Sequence, residues 1–100
     1  MTVYFVSRHP GAAEWAEREG VAFDQHEAHL DADRLRNGDT VIGTLPVHTV
    51  ARIRAAGVRY LHLAFDLPAG LRGAELSADD LARLNARLVP IHAEVIHVLH

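Results

Sequence analysis

Twice in this chain a short apolar run stops at a turn and gives way to helical spacing, and that repeat constrains the fold more than any other feature. Val3-Tyr4-Phe5-Val6 reads as a buried strand, halted by Ser7-Arg8-His9-Pro10-Gly11, where Pro and Gly punctuate a turn. From Pro10 onward Ala12, Ala13, Trp15 and Ala16 interleave with Glu14, Glu17, Arg18 and Glu19 at helical spacing. Pro is tolerated in a first helical turn, and Gly20 is a natural stop. Thr40-Val41-Ile42-Gly43 repeats the strand, and Thr44 is expected to cap a helix running from Leu45 or Pro46 to Ala56, ended by Gly57.

The intervening segments fill in an alternating order. Val21-Ala22-Phe23 is expected as a weaker strand, Asp31 to Asn37 as a helical turn closed by Gly38, and Val58 to Leu63 as a further strand. Asp66 to Ala74 is the longest loop. Ser77 with Asp79 and Asp80 opens a helix whose buried stripe is Leu81, Leu84 and Leu88. Pro90 argues against continuing that helix, and Ile91, Ala93 and Val95 alternate with His92 and Glu94 as in a last strand.

Strands alternating with helices predict an α/β fold, a mostly parallel sheet covered on both faces. The handedness of β-α-β crossovers suggests strand order 2-1-3-4, with the C-terminal strand at the far edge. Strands one and three are then neighbours whose following helices go to opposite faces, which opens a crevice beyond their carboxyl ends. Ser7-Arg8-His9 and Gly43-Thr44 stand at those two ends.

Composition narrows the function classes. At 100 residues, 49% of them hydrophobic, the chain is expected to form a single domain over residues 1–100. Ten Lys and Arg against 13 Asp and Glu give a formal charge of −3, which argues against general binding to DNA or to anionic membranes. The lack of cysteine removes disulfide frameworks and thiolate chemistry. Neither a signal peptide nor an apolar run long enough to span a membrane is visible, so a cytoplasmic location is expected.

The first turn joins a hydroxyl, a guanidinium and an imidazole directly before a helix N-terminus, a combination suited to phosphate. Arg8 can pair bidentately with phosphate oxygens, Ser7 can donate, and Gly11 allows close backbone approach behind Pro10. Gly43 and Thr44 repeat this geometry at the neighbouring strand. His48, in the first turn of the second helix, and Asp66, after the fourth strand, are further candidate ligand contacts, although Asp66 also suits a loop-initiating Asx turn. Eight histidines invite a metal reading through His26 with His29 or His97 with His100, but no standard ligand pattern is present and no metal is expected. His62 reads as a core or interface histidine and Trp15 as core. Arg72 and Glu75 lie in a loop that could fold over the crevice.

Ser7-Arg8-His9-x-Gly11-Ala12, Gly38-Asp39-Thr40-Val41-Ile42-Gly43-Thr44-Leu45-Pro46, and Tyr60-Leu61-His62-Leu63 followed by Arg72-Gly73-x-Glu75-Leu76 resemble a family of small accessory proteins of type III CRISPR systems, over nearly the whole chain. The resemblance implies a Rossmann-like three-layer sandwich and a ring nuclease. Such enzymes linearise cyclic oligoadenylate second messengers, act as homodimers, and need no metal or other cofactor. On that basis Arg8 and His9 are the candidate catalytic residues. Ser7, Arg8, Pro10, Gly11, Gly43, Thr44, His48 and Asp66 are the candidate ligand-binding set. A module that binds the cyclic nucleotide without cleaving it, and a protein-interaction subunit using Trp15, the last strand and the C-terminal histidines, are the competing expectations.

Overall fold

The computed structural model describes residues 1–71 and 73–99, so Arg72 and His100 lie outside the described residues. Its elements run β1 (Val3–Val6), α1 (Pro10–Arg18), β2 (Gln25–Glu27), a 3-10 turn at Ala32–Arg34, β3 (Thr40–Gly43), α2 (Val47–Ala55), β4 (Arg59–Ala64), a 3-10 turn at Ala69–Leu71, α3 (Ala78–Arg83) and β5 (Arg87–Pro90). The five strands form one sheet in the order β2-β1-β3-β4-β5. The first four are parallel, and β5 closes the edge antiparallel to β4. The expected order of the first four strands and the far-edge position of the last are both present.

Alternation along the strands sends side chains to two cores. Phe5, Ile42 and Leu63 meet Trp15, Ala16 and Leu81 on the α1 and α3 side. Tyr4, Val6, Val41 and Tyr60 meet Val50 and Ile53 of α2 on the other. The result is a three-layer, Rossmann-like sandwich. Trp15 is buried in the first of these cores, which removes it from any contact surface.

Four local expectations are corrected. The second strand is Gln25–Glu27, not Val21–Phe23. Val21 returns its N–H to Ala16 at 2.9 Å to close α1, and Val21 and Phe23 pack beside the α1 core, so bonding to β1 begins only at Asp24, whose N–H donates to the Val3 carbonyl at 2.8 Å. Thr44 does not cap α2. Leu45 precedes a proline and is held out of helical conformation, and Pro46 takes the N-cap position at φ −59° and ψ 148°.

α3 stops before Leu88 because Asn85 adopts a left-handed φ of 59°, a conformation that Asn tolerates and that turns the chain back toward the sheet. The capping box at its start is as expected, with Ser77 Oγ accepting from the Asp80 N–H and Asp80 accepting from the Ser77 N–H. The last strand is Arg87–Pro90, ahead of the alternating segment. Contact with β4 reaches one residue further, the Ile91 N–H donating to the Tyr60 carbonyl at 3.2 Å, and the residues from there to 99 have no regular structure, leaving Ile96 and Leu99 largely exposed. No helix among the described residues is long and apolar enough to cross a membrane.

Candidate functional site

β1 and β3 lie side by side with Val6 opposite Gly43, so the turns that follow them emerge together at the carboxyl edge of the sheet. The pairing is unusually close. A Cβ on Gly43 would come within 2.6 Å of the Val6 carbonyl oxygen, and glycine is what lets the strands meet there. α1 leaves for one face and α2 for the other, which makes this a topological switch point. A cavity of about 250 Å³ occupies it, lined by Ser7, Arg8, His29, Leu30, Thr44 and Leu45 among others.

Ser7 is fixed from three directions. Its N–H donates to Glu27 at 2.9 Å, its carbonyl accepts from His26 Nε2 at 3.2 Å, and its Oγ accepts the His9 N–H at 3.1 Å. The hydroxyl proton has no acceptor among the described residues, so it is free to donate. The polar edge strand β2 therefore has a clear task, since His26 and Glu27 hold the turn that carries Arg8. Arg8 is exposed and makes no ion pair or side-chain hydrogen bond among the described residues, whereas Arg34 nearby is committed to Glu27, Gln25 and the Tyr4 ring.

The opposite wall is held from β4. Tyr60, buried, accepts the Leu45 N–H at 2.9 Å and donates to the Gly43 carbonyl at 2.8 Å. His62 Nδ1 lies 2.7 Å from the same phenolic oxygen. A carbonyl only accepts, so the single phenolic proton goes to Gly43 and Nδ1 carries its own proton toward the phenol. Burial raises the Tyr60 pKa, which keeps that proton in place.

The remaining candidates are not among the residues that line this cavity, although His9 adjoins it as the residue after Arg8. His9 is the N-cap of α1 but its side chain makes no cap hydrogen bond, and Pro10 occupies the first helical position. Gly11 is enclosed by protein, since a Cβ there would stand 2.3 Å from the Leu76 carbonyl oxygen. The close approach that glycine permits is used by the segment leading into α3. His48 faces a different and larger cavity of about 490 Å³ between α2 and residues 92–95. There the Arg54 guanidinium is already tied to His92 and to the Val58 carbonyl, and the cavity shares no lining residue with the one at the switch point.

Asp66 accepts from Asn85 and Arg87 across the β4–β5 connection, and its N–H donates to Leu84, so it organises that edge. Among the described residues, no three His, Asp or Glu side chains converge to hold a metal ion. His29, Tyr60 and His26 are the residues that sequence reasoning did not place at the crevice. His29 and His26 were visible only as a spacing, and Tyr60 as strand core.

A three-layer sandwich with its candidate site at the carboxyl ends of two central parallel strands defines a Rossmann-like α/β domain. Residues 4–94 match the model of the family described as "Putative CRISPR-associated protein (Cas_VVA1548)", and the chain belongs to that family. No curated protein and no solved structure matches it.

Proposed function

We propose that this CRISPR-associated protein is a ring nuclease of type III systems, cleaving a cyclic oligoadenylate, with cyclic tetra-adenylate the leading candidate. The observation that carries the reading is that Ser7, Arg8 and Thr44, from two different turns, line one cavity at the switch point. That convergence supplies a guanidinium and two hydroxyls at a place where α/β sheets take their ligands.

In this reading a ribose 2′-oxygen attacks the adjacent phosphorus in line, the 5′-oxygen of the next nucleotide leaves, and a 2′,3′-cyclic phosphate remains. His9 relays the proton lost from the 2′-hydroxyl or the proton gained by the departing 5′-oxygen, a role worth about 10² to 10⁴ in rate. Arg8 stabilises charge on the phosphorane, and Ser7 and Thr44 orient the phosphate. A two-fold symmetric ring suits two copies of the crevice across a dimer axis. The exposed Ile96, Val98 and Leu99 supply apolar surface that such a second copy would cover.

Incubation with labelled cyclic tetra-adenylate, followed by separation of products, tests the proposal. Linear products ending in a cyclic phosphate, formed equally well in EDTA, are expected. Tight binding with the ring intact after long incubation would instead identify a sequestering module.

A further inference from the structure

The cavity at the switch point does not end at its own walls. A second cavity of about 370 Å³ shares four of its lining residues, His29, Leu30, Leu45 and Pro46, and runs on along α2 to Thr49 and Arg52. Shared walls make the two a single groove. The first chamber, at about 250 Å³, falls short of the roughly 300–1,000 Å³ typical of small-molecule sites, and the joined groove falls within that range.

Its two ends are cationic. Among the described residues Arg8 has no partner and Arg52 has only a 3.6 Å contact with Asp33, in which both side chains are mostly solvent-exposed. Exposed pairs of this kind contribute little and are readily exchanged for a stronger anion. Between the ends lie the apolar surfaces of Leu30, Leu45 and Pro46, with the His29 imidazole in the wall. Cation, apolar floor and second cation is the pattern presented, in reverse, by phosphate, nucleoside and phosphate.

We propose that this groove takes a two-phosphate segment of an oligonucleotide, one phosphate at Arg8 and the next at Arg52, with the intervening nucleoside against Leu30, Leu45 and Pro46. The proposal rests on the oligoadenylate reading and adds a second phosphate subsite to it. Asp33 acts there as a competitor that lowers affinity by occupying Arg52.

The test uses two ligands: AMP, with one phosphate, and 5′-phosphorylated diadenylate, with two, its first ribose 2′-O-methylated to prevent cleavage. Calorimetric titration of the wild-type protein should show the diadenylate binding at least about tenfold tighter than AMP, equivalent to about 1.4 kcal/mol. Arg52→Ala should remove most of that margin and leave AMP binding unchanged, and Arg8→Ala should weaken both ligands. Asp33→Asn should tighten the diadenylate alone, a gain that a misfolded variant would not produce. If Arg52→Ala weakens both ligands equally or neither, while Arg8→Ala still weakens both, the second subsite is wrong and the oligoadenylate reading stands. If the wild-type protein binds neither ligand, the two-phosphate groove is wrong, and the oligoadenylate reading is decided separately by cleavage of cyclic tetra-adenylate.

Discussion

The Tyr60 hydroxyl donates to the Gly43 carbonyl at 2.8 Å, so a side chain of β4 holds the end of β3. The same oxygen accepts the Leu45 N–H at 2.9 Å, and the two bonds bracket Thr44. Tyr60→Phe keeps the ring in the core and removes both. Leaving the Leu45 N–H and the Gly43 carbonyl without this partner should cost about 1–3 kcal/mol, read by urea unfolding. Ligand affinity should fall as well, because Thr44 loses its fixed position. Unchanged stability would show that water replaces the phenol without loss.

Arg8 and His9 separate binding from rate. Arg8→Ala should weaken cyclic tetra-adenylate binding by at least about tenfold, through loss of a charge-assisted contact. His9→Ala should bind nearly as well as the wild type and lose about 10² to 10⁴ in single-turnover rate. A His9→Ala protein that cleaves at the wild-type rate removes His9 from the chemistry and leaves proton transfer to another group.

Gly11 is a packing residue. An added methyl would meet the Leu76 carbonyl oxygen at 2.3 Å, and since that neighbour is backbone, neither α1 nor the entry to α3 can yield cheaply. Gly11→Ala should therefore destabilise the fold by about 1–3 kcal/mol, although Ala is the better helix former by about 1 kcal/mol. A variant more stable than the wild type in thermal melts would show that the two segments can move apart.

Asp39 sets the acid limb of stability. It is buried and accepts the Thr2 N–H at 2.9 Å and the Arg36 N–H at 2.8 Å, and these bonds hold its pKa below the usual carboxylate range. A lowered folded-state pKa means the unfolded chain binds more protons. The stabilisation is then complete above the unfolded value of about 3.9 and is lost as pH falls through the lower folded value. Asp39→Asn should cost about 1.5–3 kcal/mol at neutral pH, and the gap to wild type should close in strongly acidic buffer. Asp80, lowered by the Ser77 N–H and hydroxyl, adds to the wild-type acid slope in the same direction and cancels in this comparison. A gap that stays constant with pH would mean the Asp39 carboxylate is not what matters.

Local periodicity, capping chemistry and crossover handedness were enough for the alternation of strands and helices, the order of the first four strands and the Ser77 cap, and they favoured a core position for Trp15. They also placed Ser7, Arg8 and Thr44 at neighbouring strand ends. The edges of the sheet depended on long-range pairing. β2 is polar and becomes a strand through backbone pairing with β1, which no hydrophobic pattern announces. β5 begins already at Arg87 because the left-handed Asn85 ends α3 earlier than the leucine spacing suggests.

The groove was likewise beyond sequence reach. His29 and Arg52 are 23 positions apart, on a loop and a helix, and only the sheet order sets them along one wall. Contacts between side chains on separate elements depend on how the layers pack, and local patterns do not encode that.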